Sequence, residues 1–264
     1  MEVGTRLSTI AQGPGRLAWQ QAKVVAIKAE TYRTKTFTLR PDHWGSFRPG
    51  QHIDVRLTAP DGYQAQRSYS IASSPDGSGV LDISVELVDN GEVSPFFHEV
   101  VREGDTIDVR GPIGGPFTWT VSDGGPLMLV AGGSGIVPLM SMLRHRTHST
   151  SPTRETERPA AVLVYSSRSE ADIIYREELD LLAANDSSFR LFHTLTRDRP
   201  QGWSGLSSRV NVTMLKNCMS EVGMPDWTFV CGPAGFVEAV ATIAVSLGLP
   251  QNRVRTERFG PSGS

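Results

Sequence analysis

The hydrophobic periodicity of the chain changes near residues 122–125, and this change restricts the folds that the chain can adopt. Before it, short runs rich in Val, Ile and Thr alternate with Gly-, Pro- and Asp-containing turns. After it, the apolar run PLMLVA leads through GGSG into a helical pattern, and strands then alternate with helices. Such alternation predicts a parallel sheet with helices on both faces. The sequence therefore predicts a flexible tail (1–16), an antiparallel β-barrel or sandwich (17–123) and an α/β domain (124–264).

The first of these two domains contains six segments of strand length. They are AKVVAIKAE, TKTFTLR, QHIDVRLTA, QRSYSIA, LDISVELV and DTIDVRG. Their spacing of roughly ten residues is typical of an antiparallel barrel or sandwich. One short helix is predicted to interrupt them at SPFFHEV, with Ser94 as its N-cap and Pro95 in its first position.

Composition excludes several classes of function. The formal net charge is −2 at pH 7, so the molecule has no long-range field that would attract nucleic acid or an anionic membrane. The apolar runs are too short to span a bilayer, and the first residues lack the apolar core of a signal peptide. The two cysteines, Cys218 and Cys231, are too few for an iron–sulfur cluster or a zinc site built on cysteines alone. We therefore expect a cytoplasmic protein without a built-in iron–sulfur relay.

Glycines stand between the first strand and the first helix of the second domain, in VAGGSGIVP (130–138). This arrangement frees backbone N–H groups and a positive helix end for a pyrophosphate, although such glycines also serve as plain tight-turn residues. Polar residues follow at the ends of the next two strands, and they are Ser166, Ser167, Arg168, Arg197 and Arg209. Hydroxyls and arginines at these positions suit the 2′-phosphate of a nucleotide; the alternative is that the arginines are ordinary surface residues.

Two further segments of the second domain carry predictions. At the end of the fourth strand, in VCGPAGFVEAV, Cys231 is either a buried small hydrophobe or the wall of a nicotinamide pocket. A nucleophilic thiol is not supported, because no His–Asp partnership is evident beside it. The segment HRTHSTSPTRETERP (145–159) is predicted to be a solvated loop between the first helix and the second strand.

The segment RSYSIAS (67–73) is polar for a strand, and it is either an exposed edge or a seat for an anionic, aromatic ligand. Arg67 can balance a phosphate charge, Tyr69 offers a flat face to a ring, and Ser70 offers a hydroxyl. Strict alternation places Arg67 and Tyr69 on one face of the strand and Ser70 on the other. A ligand that touches both Tyr69 and Ser70 therefore requires a bend in the strand or contact with its edge.

Six motifs, in the order RSYS, GEVS, GPIGGPF, GGSGIVP, CGP and ERF, resemble those of the ferredoxin–NADP⁺ reductase family. The resemblance covers most of the chain, roughly residues 19–259, and implies a flavin-binding β-barrel followed by an α/β domain that binds a nicotinamide nucleotide. FAD and NADPH are the implied cofactors. The GEVS motif and the family favour FAD over FMN, although the barrel motif alone does not separate the two.

The resemblance also implies a role for each motif. Arg67 would contact the FAD pyrophosphate, Tyr69 would lie against the flavin, and Ser70 would hydrogen-bond flavin N5. Gly91 and Ser94 would hold FAD phosphates. The remaining implied cofactor contacts are Gly132, Gly133 and Gly135 for the nucleotide pyrophosphate and Arg168, Arg197 and Arg209 for the 2′-phosphate. The implied catalytic residues are Ser70, Cys231 and Glu257, the last two flanking the nicotinamide. Phe259 would shield the other flavin face, a role left open because GPSGS follows it.

The resemblance implies an NADPH-dependent flavoprotein reductase that passes hydride to FAD and then single electrons to a separate acceptor. No plant-type ferredoxin domain is appended, so the acceptor would be a ferredoxin, a flavodoxin or another oxidoreductase subunit. One alternative is a redox-sensing or electron-transfer subunit with little turnover alone; another is a reductase of free flavin or ferric complexes. No nucleic-acid or membrane partner is expected. The sequence leaves open the acceptor, NADPH against NADH, FAD against FMN, and the oligomeric state.

Overall fold

The computed structural model describes residues 17–148 and 158–260 of the chain. The predicted tail, 1–16, and much of the predicted loop, 149–157, lie outside the described residues. Among the helices of the described ranges, none is both long enough and apolar enough to cross a membrane.

The first domain is a closed antiparallel sheet of six strands in the order β4-β3-β6-β1-β2-β5. Its elements are β1 (Gln20–Ala29), β2 (Thr34–Pro41), β3 (His52–Thr58), β4 (Gln64–Ser70), β5 (Leu81–Glu86), α1 (Ser94–Glu99) and β6 (Thr106–Ile113). Just beyond the end of β4, Ile71 forms an antiparallel bridge with Ile83 of β5, and this bridge joins the two outer strands. The predicted barrel is therefore confirmed.

Alternating apolar side chains fill the barrel because successive residues of a strand point to opposite faces. Phe37 and Leu39 of β2 and Ile83 of β5 are fully buried in this core. Phe97 of α1 covers one end of the core, with its ring edge against Phe37 at 4.9 Å between centroids. Burying each of these side chains contributes roughly 1.5–3 kcal/mol.

Ser94 is the first residue of α1 and not its N-cap, so that prediction was wrong. Val93 takes the cap position and makes no side-chain cap hydrogen bond. The Ser94 hydroxyl instead accepts a hydrogen bond from the Val88 backbone N–H at 3.0 Å. The tight turn before the helix engages the hydroxyl that a cap would need.

The second domain is a five-stranded parallel sheet in the order β11-β10-β7-β8-β9. Its elements are β7 (Leu127–Gly132), α2 (Ile136–His148), β8 (Ala161–Ser167), α3 (Arg176–Asn185), β9 (Phe189–Leu195), α4 (Val212–Ser220), β10 (Trp227–Pro233), α5 (Ala234–Ser246) and β11 (Val254–Phe259). Every residue of β7 and β8 is buried, as expected for central strands covered on both faces. Leu129 and Leu163 belong to one apolar layer, and Val130 and Val164 to the other.

The segment 145–159 is not a solvated loop at its beginning, because α2 continues to His148. Arg146 is 1% exposed, and its guanidinium donates to an Asp186 carboxylate oxygen at 2.5 Å and to the Pro159 carbonyl at 2.6 Å. A buried charge is tolerated when it is paired and hydrogen-bonded in this way. The loop prediction was therefore wrong for residues 145–148, where an ion pair ties the end of α2 to the turn before β9.

The segment between the two domains packs into the α/β core. Phe117 and Trp119, which follow β6, are buried in the same cluster as Leu129 and Phe229. The Phe117 ring stands edge-on to Phe229 at 5.3 Å between centroids. The chain between the domains is therefore held by apolar packing.

Candidate active site

Three side chains that are distant in the sequence meet where the two domains face each other. Ser70, the last residue of β4, donates a hydrogen bond from its hydroxyl to Glu257 Oε1 of β11 at 3.2 Å. Cys231 of β10 is the register partner of Glu257 on the neighbouring parallel strand. The three residues predicted to be catalytic thus lie in one place, at the carboxyl ends of β10 and β11, which is where ligands bind in open parallel sheets.

Burial controls the protonation of this group. It raises the pKa of Glu257 to about 7, while the hydrogen bond from Ser70 acts in the opposite direction. Burial, followed by the nearby charge of Glu257, raises the pKa of the Cys231 thiol well above its usual range. The thiol is therefore neutral and packs as a small wall residue, whereas Glu257 can gain or lose a proton near neutral pH.

The strand that carries Ser70 changes partner directly after it. Tyr69 and Ser70 are opposite Ile53 and His52 of β3, respectively. Two residues after Ser70, the Ala72 N–H donates to the carbonyl of Asp82 in β5 at 2.7 Å. Tyr69 packs against Phe97 with ring centroids 5.7 Å apart, and burial raises its pKa. The two side chains therefore have different neighbours, as alternation requires, and the chain changes partner strand after Ser70.

Arg67, Gly91 and Ser94 lie around one turn at the start of α1. The Gly91 N–H donates to the Val88 carbonyl at 3.0 Å, and a Cβ at Gly91 would come within 3.1 Å of both that oxygen and Ser94 Oγ. Arg67 is partly exposed and pairs with Glu92 of the same turn at 3.5 Å. The side chain of Glu92 thus holds the Arg67 guanidinium beside this turn.

The glycines after β7 divide into two kinds. Gly133 has a φ of +55°, and a Cβ there would meet nothing within 4 Å. A side chain at Gly133 would therefore be unfavourable because of the backbone conformation and not because of a clash. At Gly135 a Cβ would collide with the Cys231 backbone carbonyl, and at Gly132 it would touch the Phe236 ring at 3.0 Å. The absence of side chains therefore lets the start of α2 pack directly against the end of β10.

A cavity of about 540 Å³ opens beside this turn, and both domains line it. Of the residues predicted to bind the nicotinamide nucleotide, its walls include Gly132, Gly133, Ser166, Ser167, Arg168 and Arg209, and Phe259, predicted to shield a flavin face, lines it as well. Gly135 and Arg197 are not among its lining residues. Phe259 is 37% exposed, and a role against a flavin face stays a prediction for it.

The barrel contributes cavity residues that were not predicted from the sequence. They are Thr31, Arg33, Thr34 and Glu86. No local motif marks them, because they reach the cavity only through the packing of one domain on the other. Elsewhere in the described ranges, no group of three or more His, Cys, Asp or Glu side chains is arranged to hold a metal ion.

Two domain families match the chain, one before and one after the change in hydrophobic periodicity near residues 122–125. The oxidoreductase FAD-binding domain matches residues 21–118, and the oxidoreductase NAD-binding domain matches residues 129–242. The two matches fall within the barrel and within the α/β domain, respectively.

Curated relatives match over most of the chain. The chain is 34% identical to ferredoxin–NADP reductase B of Sorangium cellulosum over 81% of its own length and 85% of that protein. It is 32% identical to the glycine betaine monooxygenase reductase subunit of Pseudomonas aeruginosa over 91% of its own length. That match spans 64% of the Pseudomonas protein, so the chain corresponds to a part of it.

Solved structures share the two-domain fold. A ferredoxin NADP⁺ reductase from Neisseria gonorrhoeae with bound FAD and NADP superposes with a TM-score of 0.73, 21% identity, 91% of this chain and 98% of the other. The FAD- and NAD-binding domain of nitric oxide dioxygenase from Vibrio cholerae gives a TM-score of 0.77 at 23% identity, covering 93% of this chain and 100% of the other. The two domain matches and the Sorangium relative identify the chain as a member of the ferredoxin–NADP⁺ reductase family, with an FAD-binding and an NAD-binding oxidoreductase domain.

Proposed function

We propose that the chain takes reducing equivalents from NADPH and delivers them, through FAD, as single electrons to a separate redox protein. When bound, FAD supplies the step from a two-electron donor to a one-electron acceptor. The observation that carries the proposal is the partly buried Ser70–Glu257 hydrogen bond beside Cys231, which joins the flavin side of the molecule to the nucleotide side.

The residues of the barrel fit a flavin dinucleotide. Arg67 presents a guanidinium that is 45% exposed on its side chain, next to the compact turn at Gly91 and Ser94. A guanidinium with a close backbone turn suits a pyrophosphate. Tyr69 is held by Phe97 and stays neutral, so its ring can lie against an aromatic system. These residues would bind and orient the cofactor.

Ser70 and Glu257 would hold the proton beside the reacting atoms. Since the pKa of Glu257 is about 7, its carboxyl group can hold or release a proton at working pH while it accepts the hydrogen bond from Ser70. The neutral Cys231 side chain excludes water from the same region without adding charge. We assign these three residues to positioning the two rings and to proton exchange.

NADPH is favoured over NADH by the polar groups at the end of β8. Arg168 and Arg209 line the cavity, and the buried Ser167 hydroxyl lies near Tyr165 without a well-aligned hydrogen bond among the described residues. The nearby carboxylate of Asp172 accepts hydrogen bonds from the Ser169 N–H at 3.0 Å and hydroxyl at 2.6 Å. A carboxylate engaged in this way is less available to a ribose hydroxyl, whereas two guanidinium groups suit a 2′-phosphate.

The nucleotide preference is tested by replacing Arg168 and Arg209 together with Ala. We expect the KM for NADPH to rise about tenfold to a hundredfold, because each charge-assisted contact contributes roughly 1.5–3 kcal/mol before solvent screening. The KM for NADH should change little. Arg190→Ala is the matched control, since Arg190 does not line the cavity and pairs with Glu221. An equal loss with NADH, or a control effect as large as that of the double variant, contradicts the assignment.

A separate acceptor is proposed because the sequence holds only two cysteines, Cys218 and Cys231, both buried and without a disulfide. An iron–sulfur relay needs more thiolates than that. The similarity to a ferredoxin–NADP reductase and to a monooxygenase reductase subunit supports a ferredoxin, flavodoxin or oxygenase component as the acceptor. Comparing turnover with these proteins, free flavin and ferric complexes under saturating NADPH tests this choice. Turnover only with free flavin or ferric complexes would overturn it.

A further inference from the structure

Tyr175 has an unusual backbone conformation at the boundary between the domains. Its φ is +59° and its ψ is 27°, a left-handed conformation that is rare for residues other than Gly, Asn and Asp. It directly precedes α3, and it is only 2% exposed. A strained conformation persists where the surroundings hold it in place. Here the surroundings include a residue of the other domain.

The Tyr175 hydroxyl is hydrogen-bonded to the Ser84 hydroxyl, which belongs to β5 of the barrel. Ser84 Oγ is in turn 2.7 Å from Thr36 Oγ1 of β2. Thr36 then donates to the Glu30 carboxylate at 3.0 Å. The side chains of Ser84 and Thr36 are buried, so the phenol of one domain ends in a hydrogen-bonded row inside the other.

Arg144 of α2 makes a second connection between the domains. Its guanidinium donates to both carboxylate oxygens of Glu178, at 2.8 and 2.6 Å, and also to the Ala72 carbonyl of the barrel at 2.9 Å. It lies over the Tyr175 ring at 5.1 Å from the ring centroid. One helical turn earlier, Ser141 donates to the Ser73 carbonyl at 2.6 Å. The helix that begins at the glycine turn is thus bonded to the segment that follows Ser70.

These contacts lie directly behind the walls of the nucleotide cavity. Ile174, which precedes Tyr175, lines the cavity from the α/β side. Glu86 and Thr34 line it from the barrel side, and each stands two residues from a member of the hydrogen-bonded row, Ser84 or Thr36. The distance between the two walls therefore depends on the contact between Tyr175 and Ser84.

We infer that Tyr175 is a positioning residue, which sets the spacing of the nucleotide cavity and so holds the nicotinamide in register with the flavin. Hydride transfer needs reacting atoms about 3–3.5 Å apart, and a misplacement of about 1 Å costs roughly a hundredfold in rate. The inference concerns reduction of the flavin by whichever nucleotide the wild-type chain oxidises. It does not depend on the preference for NADPH.

The test compares Tyr175→Phe, Ser84→Ala and the double variant in the flavin-loaded protein. Two quantities are measured at saturating nucleotide: the single-turnover rate of flavin reduction, and the long-wavelength absorbance band that appears when a nicotinamide ring stacks on a flavin. We expect each single variant to lose about tenfold in rate and most of the band. The double variant should be no worse than either single variant, because both remove the same contact.

The matched control is Ser188→Ala. The Ser188 hydroxyl donates a hydrogen bond to the Asp186 carboxylate within the α/β domain, at 2.6 Å, and neither residue lines the cavity. This variant should lose thermal stability while keeping the band. An unchanged band and rate in Tyr175→Phe, or an equal loss in the control, overturns the inference. If Tyr175→Phe does not fold, Ser84→Ala performs the same test from the barrel side.

Discussion

The two ends of the proposed cofactor site differ in the charge and in the solvent exposure of their side chains. At the Ser70–Glu257 end, one carboxyl group is partly buried, hydrogen-bonded and has a pKa of about 7, with an uncharged thiol beside it. At the Arg168–Arg209 end, guanidinium groups are open to solvent at the rim of the cavity. Electrostatic interactions are strong in the dry region and screened at the wet rim. We therefore expect the first end to control the rate of the chemical step and the second to control nucleotide affinity.

Replacing Glu257 with Gln should change the rate of the chemical step more than any other substitution at the two ends. The amide keeps the size of the side chain but removes the carboxylate that holds the Ser70 hydroxyl, so the reacting rings lose their alignment and flavin reduction at saturating nucleotide should slow about a hundredfold. Glu238→Gln, on the exposed face of α5, is the control and should keep the wild-type rate. A Glu257→Gln rate equal to that of the control would mean that the carboxyl group takes no part in the chemical step.

A second prediction concerns stability, because burial raises the pKa of Glu257 from 4.5 to about 7. Between these two values the folded chain keeps a proton that the unfolded chain has released, so stability falls as the pH rises through the window. Urea titrations of the flavin-free protein at about pH 5 and about pH 7.5 measure this effect. Between the two pH values, the free energy of unfolding of the wild type should fall by about 2 kcal/mol more than that of Glu257→Gln. Parallel losses in the two proteins would show that Glu257 titrates normally.

A smaller effect is expected from ionic strength, which should act on nucleotide affinity at the Arg168–Arg209 end. Raising the ionic strength from about 0.05 to about 0.5 M shortens the screening length, so the KM for NADPH should increase several-fold. The rate of flavin reduction at saturating NADPH should stay constant, because the Ser70–Glu257 end is shielded from the salt. A rate that falls with salt while the KM is unchanged would reverse the proposed roles of the two ends.

Much of this architecture could be predicted from the local pattern of the sequence. The six barrel strands and the alternating strands and helices of the second domain follow from hydrophobic periodicity, which depends only on neighbouring residues. The glycine turn at Gly133 was also predictable, since glycines between a buried strand and a helix point to a close backbone approach.

Long-range contacts explain the failures. Nothing beside Arg146 in the sequence indicates that it would pair with Asp186, forty residues away. The same holds for the cavity residues of the barrel, such as Glu86, and for the contact between Tyr175 and Ser84. Each depends on how two separately predicted elements pack, which a one-dimensional pattern does not contain.

The central claim is tested most directly by mixing the yellow, flavin-loaded protein with NADPH in the absence of oxygen and following the visible flavin absorbance. The account predicts that the flavin bleaches within a fraction of a second, at a rate on the order of 10 s⁻¹ or faster, as typical enzyme turnover requires. NADH at the same concentration should bleach it more slowly, because it lacks the 2′-phosphate that Arg168 and Arg209 are proposed to bind. Absorbance that does not change, or changes only over many minutes, would contradict the account.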